Sequence, residues 1–474
     1  MALDERIMLK STTPSHLAAE VISQHPIVLA LGMWLQYQEK KGHYVEIDDK
    51  KLTSIIYKVL DGRAYQDGKG KDANLVMTKA LCANVKEALV QFCLIDEVEK
   101  LPFWLPKQND HNQEPLKHPE DLLVLCNGLL DWRTGELIPL NESFVTTSAS
   151  PVKYEPEADA PLNWEFFLND IFDGDQEQID LLHEVIGALI TRQNKFQKIF
   201  QIIGPSRSGK GTIGRVLVEL IGEASVCSPK ISQISSGGFG LESLIGKTLA
   251  TVTDARISRG THDSDLTEKM LTISGGDFQT IPRKYKDDFR GYIEAQWLLM
   301  SNEPVLLKDL TGTIAKRMVL LETLKSFLGK EDPDLFERDL QPELPAILNL
   351  CLAAARKLEE RGRFLQPKSI SGRQAELVRS ASSVSGFANE CLEEAAESTI
   401  TKKEVYDAYL KYCNGHSCTS TSANIFWRDL RASGKYRDTM ELKRTIDGKR
   451  TLCVKGLCLI ESTIPSINDF DEDD

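Results

Sequence analysis

One segment near the middle of this 474-residue chain constrains the fold more than any other part of the sequence. The apolar run Ile199–Ile203 predicts a buried strand, and a nine-residue loop rich in glycine and serine follows it directly. Apolar residues at helical spacing then continue to Ile221, and Gly222 predicts the end of that helix. A strand, a G-x-x-x-x-G-K loop and a helix in this order are typical of a phosphate-binding loop.

The chemistry of this loop predicts binding of ATP together with Mg²⁺. Its glycines let backbone N–H groups converge on phosphate oxygens, and the helix N-terminus adds its dipole. Lys210 supplies a positive charge to the β- and γ-phosphates. Thr212 is the nearest hydroxyl for Mg²⁺, because Gly211 follows the lysine directly. The residues predicted to hold the nucleotide are Gly204, Pro205, Ser206, Arg207, Ser208, Gly209, Lys210, Gly211 and Thr212.

The next strand-like run ends in a carboxylate that suits a metal ion. Residues 249–253 are closed by Asp254, which we predict to hold Mg²⁺ with Thr212, although a strand-end aspartate also commonly caps a turn. Ala255 stands where a second carboxylate would activate the attacking water. That role stays open between Asp254 itself and the acidic residues Asp263 and Asp265.

Two further runs add an amide and an arginine. Residues 296–301 lead to Asn302, whose amide is predicted to orient water against the γ-phosphate, unless it only forms the turn before Pro304. Arg317 precedes the strand-like run Met318–Leu321 and is predicted to lie at the sheet edge opposite the phosphates. It therefore suits either an arginine finger donated to a neighbouring subunit or a surface salt bridge.

Changes in apolar periodicity divide the chain into six parts. We predict a mainly helical domain over 1–115, strands and helices over 116–194, an α/β core over 195–330, a helical segment over 331–384, a winged-helix domain over 385–462 and an acidic tail over 463–474. Helical spacing within the first part covers 22–36 and 75–94. Three short helices followed by a hairpin at Asp447-Gly448 favour the winged helix, with a small helical lid as the alternative.

The charge balance limits where DNA could bind. A net charge of -13 excludes a chain coated uniformly in basic residues, so any contact needs a local basic patch. The winged-helix region contains such a patch, and the residues predicted to contact DNA there are Arg428, Arg431, Lys449 and Arg450.

Cysteine usage and the N-terminus bear on the cellular setting. Two C-x4-C pairs, Cys413 with Cys418 and Cys453 with Cys458, could hold zinc, but tight zinc pairs prefer a shorter spacing. Buried thiols are favoured at Cys453 and Cys458, which lie in an apolar strand-like run. The first residues lack the layout of a signal peptide, and the longest apolar run is about half the ~20 residues that a membrane span needs. A cytoplasmic protein without membrane partners is expected.

Taken together, these motifs resemble the superfamily 3 helicases, especially the helicase part of phage and plasmid primase-helicases, which is related to the poxvirus type. The likeness spans about residues 120–460. Beyond the loop and the strand ends, it rests on the stretches Asn127–Asp131, Leu271–Asp277, Gly329–Pro333 and Glu343–Ile347.

The resemblance implies an AAA+-like α/β P-loop ATPase core, a preceding helical domain and a ring oligomer, usually a hexamer, that translocates along DNA. It implies roles at the nucleotide site for Lys210, Thr212, Asp254, Asn302 and Arg317. It also implies a DNA-contacting hairpin after Asp277, in which phosphates in the ring channel would meet Arg283, Lys284 and Lys286.

The expected function is an ATP-dependent replicative DNA helicase of a phage, plasmid or mobile element. We find no primase domain upstream of the core, so a separate primase or polymerase is an expected partner. The competing class is a replication initiator that uses ATP as a conformational switch and unwinds little. A small-molecule kinase is disfavoured, because adenylate kinases carry the shared Gly-Lys-Gly-Thr run near the chain start, whereas Lys210 follows about 200 residues.

Overall fold

The computed structural model describes residues 8–106, 117–235, 238–253, 263–284, 286–305, 307, 313–416, 418–432, 440–446 and 449–460. The architecture is mixed α and β, with a five-stranded parallel sheet at its centre. None of the described helices is long and apolar enough to cross a membrane.

The N-terminal part is built on a mixed sheet of order β3-β2-β1-β6, covered by three helices. The predicted helix over 22–36 is wrong, because Leu31 and Gly32 both adopt positive φ and form a two-residue hairpin turn. The predicted helix over 75–94 is confirmed as α3. The elements are α1 (Pro14–Gln24), β1 (Ile27–Ala30), β2 (Met33–Gln38), β3 (His43–Ile47), α2 (Asp49–Leu60), β4 (Ala64–Gln66), β5 (Asp72–Asn74), α3 (Lys79–Cys93), β6 (Leu94–Ile95) and β7 (Phe103–Trp104).

Short strands and two helices lead into the central sheet, as the sequence predicts. They are β8 (Leu122–Leu125), β9 (Gly128–Asp131), β10 (Leu137–Ile138), β11 (Phe144–Val145), α4 (Leu162–Ile171) and α5 (Gln176–Ile190). The two helices are joined by a partly buried hydrogen bond in which Trp164 Nε1 donates to His183 Nε2 at 3.0 Å. Burial lowers the pKa of His183 to about 4, so this imidazole is neutral near pH 7.

The central sheet has the strand order β13-β14-β17-β12-β18, and every neighbouring pair is parallel. Four of its five strands, β12, β14, β17 and β18, are those that the sequence predicts. The elements are β12 (Ile199–Ile203), α6 (Lys210–Ile221), β13 (Val226–Cys227), α7 (Ile231–Ser235), β14 (Leu249–Thr253), α8 (Asp263–Gly275), β15 (Phe278–Arg283), β16 (Lys286–Tyr292), β17 (Gln296–Ser301), α9 (Thr313–Arg317) and β18 (Met318–Glu322).

The sheet is apolar on both faces because helices cover both of them. Phe200 and Ile202 of β12 pack against the face that carries α5 and α6, whereas Ile199 packs against the opposite face. Trp297 of β17 joins that opposite cluster and is fully buried. Continuous apolar runs without alternation in the sequence are the consequence of this two-sided burial.

The C-terminal part begins with a long helix that ends at Gly362, as predicted, where φ is +73°. Four further helices and a hairpin follow, together with one strand that the sequence analysis misses. That strand, Leu392–Thr401, forms one edge of a three-stranded antiparallel sheet of order β19-β21-β20. The elements are α10 (Leu344–Arg361), α11 (Ser371–Ala381), α12 (Ser383–Cys391), β19 (Leu392–Thr401), α13 (Lys402–Gly415), α14 (Ala423–Ala432), β20 (Met440–Ile446) and β21 (Lys449–Leu459).

Candidate functional site

The loop between β12 and α6 lies at the carboxyl edge of the sheet and requires glycine at both ends. A Cβ on Gly204 would lie 2.0 Å from the Thr323 Oγ1 atom, so only glycine lets the loop approach β18. Gly209 has a φ of +87° and contacts Ile171 and Phe167 of α4. The loop is therefore tightly supported by its neighbours on two sides.

Lys210 begins α6 and its side chain folds back over the loop. Its Nζ atom donates to the carbonyl oxygens of Gly204 at 2.8 Å and Pro205 at 2.7 Å, and to Ser208 Oγ at 3.2 Å. Ser208 Oγ in turn lies 2.6 Å from Thr323 Oγ1. A lysine ammonium group and the N-terminus of a twelve-residue helix thus face the same loop, which is a favourable place for phosphate.

A cavity of about 510 Å³ opens at the ends of strands β12, β17 and β18, and we call it the strand-end cavity. The start of the loop forms one wall, and the exposed Asn302 stands at the end of β17. Its lining is Ile203, Gly204, Pro205, Asn302, Glu303, Pro304, Glu322, Thr323, Leu324, Arg373 and Glu376. The predicted amide and the predicted loop are therefore brought together, although they are about 100 residues apart in sequence.

The strand-end cavity also contains an arginine that the sequence analysis misses. Arg373 extends from α11, and its Nε atom lies 3.3 Å from Glu322 Oε1 while its Nη1 atom lies 3.2 Å from Glu376 Oε2. The hydrogen bond to Glu376 and the charge of Glu322 raise the pKa of Arg373. No motif surrounds this residue in the sequence, and only the packing of α11 near α9 and β18 brings it to the loop.

A second cavity, of about 700 Å³, opens on the other side of the loop between α4 and the segment 327–339, and we call it the aromatic cavity. Gly209, Gly211 and Thr212 reach it from the loop and the first turn of α6. Aromatic side chains from both walls line it, including Phe166, which is 71% exposed. The other aromatic side chains of the lining are Phe167, Phe327 and Phe336.

The charged rim of the aromatic cavity holds its walls together. Arg207, which adopts a positive φ of +58°, pairs with Glu331 at 3.4 Å, and its carbonyl accepts a hydrogen bond from Phe327 N at 2.8 Å. The Arg215 guanidinium lies 4.2 Å from the centre of the Phe336 ring. A planar, apolar group between α4 and this segment would be enclosed on both faces.

The predicted Mg²⁺ ligands are only partly described. Thr212 lies in the first turn of α6, with its side chain half-buried at the aromatic cavity. Asp254 lies outside the described residues, and the described part of β14 ends at Thr253 on the same sheet edge as Asn302. Asp263 begins α8. A helix hydroxyl, a lysine and a parallel-sheet edge fit a magnesium–nucleotide complex.

Arg317 lies at the sheet edge opposite the loop, immediately before β18, as the sequence predicts. Its Nη1 atom donates to the Leu271 carbonyl at 2.6 Å and to Ser274 Oγ at 3.0 Å, both near the end of α8. The guanidinium is partly accessible and is held by its own chain in this conformation.

The hairpin β15–β16 corrects one prediction. Arg283 is buried, with 2% of its side chain exposed, and its guanidinium pairs with Glu46 of the N-terminal part. It also lies 3.8 Å from Glu242 and donates to the Gly32 carbonyl at 3.2 Å. Arg283 therefore does not face a DNA channel in this conformation, because its guanidinium is buried and already bound by protein oxygens.

The two hairpin lysines differ from Arg283 in exposure. Lys284 lies in the turn at the tip of the hairpin and is exposed. Lys286 Nζ pairs with Glu46 Oε1 at 2.7 Å, and 36% of its side chain is accessible. These two positions remain compatible with a phosphate contact.

The basic residues of the C-terminal part lie on α14 and the hairpin β20–β21. Arg428 is 62% exposed and pairs with Asp429 at 2.9 Å, whereas Arg431 pairs with Glu441 of β20. Arg450 is exposed at the start of β21. The side chain of Lys449 and the turn 447–448 lie outside the described residues.

The cysteines of the two C-x4-C pairs lie on helix α13, in the loop after it and on strand β21. Cys413 of α13 and Cys453 of β21 are buried, and Cys418 and Cys458 are half-buried. Among the described residues, no group of three or more His, Cys, Asp or Glu side chains could hold a metal ion.

Comparison with known proteins begins at the level of the fold. A structure described as the A form apo structure of the NrS-1 C terminal region aligns with a TM-score of 0.52 over 94% of this chain and 100% of that chain, at 12% sequence identity. Two further structures of the same region give TM-scores of 0.49 and 0.48 at the same identity and coverage. At this identity the first alignment shows a shared α/β fold.

Two family profiles then match separate stretches of the sequence. The profile described as D5 N terminal like matches residues 30–173. The profile of a family of unknown function, DUF5906, matches residues 202–317. The second stretch includes most of the predicted nucleotide site, with Lys210, Asn302 and Arg317.

Proposed function

We propose that this protein is an ATP-dependent DNA helicase of the superfamily 3 type that serves replication of a phage, plasmid or mobile element. The observation that carries the proposal is the meeting of Lys210, Asn302 and Arg373 around the loop at one edge of a parallel sheet. The sheet order, with β12 between β17 and β18, supports an AAA+-like P-loop core. The profile match to D5 N terminal like proteins supports a replication role.

Within this proposal, each side of the loop binds a different part of ATP. The phosphates lie over the N-terminus of α6, where Lys210 exchanges its loop carbonyl partners for phosphate oxygens. The base lies in the aromatic cavity, where Phe166 supplies an exposed ring face. The γ-phosphate points into the strand-end cavity.

The strand-end cavity supplies the groups that act on the γ-phosphate. Asn302 orients the attacking water by hydrogen bonding, and Arg373 leaves its carboxylate partners to neutralise charge that develops on the phosphoryl oxygens. Thr212 and Asp254 hold Mg²⁺, which neutralises phosphate charge when it is bound. Glu303 lines the same cavity and joins Asp254 as a candidate for the residue that accepts the proton of the water.

Assembly and DNA binding complete the proposal. Arg317 acts on the nucleotide of a neighbouring subunit in a ring oligomer, which we propose is a hexamer, because its own loop lies at the opposite sheet edge. The C-terminal part acts as a winged helix that contacts DNA through Arg428, Arg431, Lys449 and Arg450. A separate primase or polymerase acts with this helicase as a partner.

A strand-displacement assay on forked DNA tests the proposal directly. We expect the full chain to release a labelled strand with ATP and Mg²⁺, and Lys210→Ala to abolish release while the protein stays folded. ATP hydrolysis without strand release would instead favour an initiator that uses ATP as a switch. The absence of both activities in a folded, DNA-bound protein would contradict the proposed function.

A further inference from the structure

A cleft of about 640 Å³ lies between helix α2 and strands β2 and β3 in the N-terminal part of the chain. Helix α2 contributes Lys51 and Lys58, which are seven residues apart and therefore lie on the same side of the helix. Lys41 reaches the cleft from the turn between β2 and β3, and Lys286 reaches it from β16. We call this the lysine cleft.

Both carboxylates that line the lysine cleft already have partners. Glu46 pairs with Lys286 and with the buried Arg283. Asp48 caps helix α2, because its Oδ1 atom accepts the Lys51 backbone N–H at 2.7 Å. Among the described residues, neither carboxylate forms an ion pair with Lys51 or Lys58 of α2.

Three lysines of the cleft carry charge without a matching carboxylate. Lys41, Lys51 and Lys58 are exposed, and none of them forms an ion pair with a carboxylate in the part of the chain that the structure describes. Such a concentration of positive charge stands out in a chain whose net charge is -13. Positive charges lining one concave surface raise the local concentration of anions.

The interior of the cleft is polar, and the charge of Lys51 acts on His25 there. Gln36 Nε2 lies 3.1 Å from His25 Nδ1, and Gln38 lies beside them on β2. The pKa of His25 is lowered mainly by burial and further by the charge of Lys51. The cleft thus offers amide and ammonium donors rather than an apolar groove, which suits an anionic ligand with many oxygens.

The spacing along α2 matches a repeating anion. With a rise of 1.5 Å per residue, Lys51 and Lys58 are separated by about 10 Å along the helix axis. Phosphates along one strand of B-form DNA advance by about 3.4 Å each, so the two ammonium groups match phosphates about three nucleotides apart. A single phosphate or a small dianion would engage only one end of this row.

We propose that the lysine cleft binds the phosphate backbone of DNA. The identity of the polyanion rests on the proposed function, whereas the cleft itself is distinct from the nucleotide site and from the C-terminal basic residues. Lys286 connects the cleft to the hairpin β15–β16 of the central domain, so a strand bound there would lie beside an element that follows α8 of the α/β core. Binding is independent of sequence, because ammonium–phosphate contacts read no bases.

Fluorescence anisotropy of the full chain with labelled single-stranded thirty-nucleotide oligothymidylate tests the cleft, over a series of salt concentrations and without ATP. The test variant is Lys51→Ala/Lys58→Ala. The matched control is Lys69→Ala/Lys71→Ala, which removes the same charge from exposed lysines of the same part of the chain, near the β4–β5 turn. A duplex probe of equal length distinguishes single strands from duplex DNA as the preferred source of phosphates.

We expect the test variant to lower the slope of log affinity against log salt by about 1.4, since each contact to single strands contributes about 0.7. Affinity at low salt should fall at least tenfold, and the control should match the unmodified chain. Equal affinities and slopes for test and control variants would overturn the proposal. The proposal would also fail if polyglutamate displaced the labelled probe as strongly as unlabelled oligothymidylate does, since an acidic protein segment would then be the better ligand.

The ATPase rate keeps this test separate from the proposed function. The cleft residues lie outside the nucleotide site, so the test variant should hydrolyse ATP at the unmodified basal rate. Loss of DNA affinity with unchanged hydrolysis supports the cleft. Unchanged DNA affinity in a chain that still unwinds DNA would reject the cleft and leave the helicase proposal standing.

Discussion

Replacement of Arg373 by alanine is the sharpest test of the strand-end cavity. The change should cost little stability, because Arg373 is 48% exposed and makes two partly exposed ion pairs, each typically worth about 0.2–1 kcal/mol. The catalytic cost should be larger. Removal of one preorganised group that stabilises transition-state charge typically lowers the rate about 100- to 1,000-fold, or about 2.7–4 kcal/mol.

The two magnitudes separate a catalytic role from a structural one. Phosphate release under saturating ATP should fall at least about 100-fold in Arg373→Ala, while urea unfolding should change by about 1 kcal/mol. Arg379→Ala is the matched control, because Arg379 lies on the same helix and pairs with Glu390 at 2.8 Å but does not line the cavity. Arg373→Lys should recover part of the rate, since it keeps the charge and loses the planar fork.

The outcome that contradicts this reasoning is equally specific. If Arg373→Ala and Arg379→Ala hydrolyse ATP at similar rates, Arg373 only joins α11 to β18 through Glu322 and Glu376. If both variants lose activity together with stability, the helix is needed for folding and the cavity assignment fails. A selective loss in Arg373→Ala supports the proposal.

Four further predictions follow from the described contacts. Lys210→Ala should lower ATP hydrolysis at least about 100-fold with an unchanged far-UV spectrum. Arg317→Ala should hydrolyse ATP poorly, and mixing it with Lys210→Ala should restore activity if subunits exchange; no recovery would reject action between subunits. Gly187→Ala would place a Cβ 2.2 Å from the Cys351 carbonyl oxygen, so urea unfolding should show a loss of about 1–3 kcal/mol. Burial lowers the pKa of His183 to about 4, so between that value and about 6.5 the unfolded chain binds the proton more readily than the folded chain. The free energy of unfolding should therefore fall by about 2 kcal/mol from pH 7 to pH 5. His183→Gln should remove this pH dependence.

The central sheet is predictable from the sequence because its strands carry their own signal. Burial on both faces makes each strand a continuous apolar run, and polar or glycine residues mark where each run ends at the sheet edge. Asn302 could therefore be placed beside the loop before any coordinates. Arg373 could not, because its position depends on how α11 packs and its neighbours in sequence carry no motif.

The N-terminal sheet shows the opposite case. The apolar spacing over 22–36 predicts a helix, but the segment forms a hairpin in which Leu31 and Gly32 adopt positive φ angles. Leu31 is a residue type that seldom adopts this conformation, so the turn has a weak sequence signal. The strand β19 is hidden in a similar way, because its run of glutamates and alanines favours a helix until pairing with β21 fixes it.

The buried position of Arg283 connects the nucleotide-dependent role proposed for Arg317 with the lysine cleft. Arg317 holds the end of α8 through Leu271 and Ser274, and β15 begins three residues after α8 ends. The other end of β15 is fixed to the N-terminal part by the ion pair of the buried Arg283 with Glu46.

A nucleotide that drew Arg317 away from α8 would therefore act on one end of a strand whose other end borders the lysine cleft. Coupling requires an element with two arrangements that both sites bias, and α8 with the hairpin β15–β16 is the element that contacts both. Arg283 then anchors the hairpin to the N-terminal part. A DNA contact at Arg283 would require the buried guanidinium to leave Glu46, whereas Lys286 can contact phosphate at the surface.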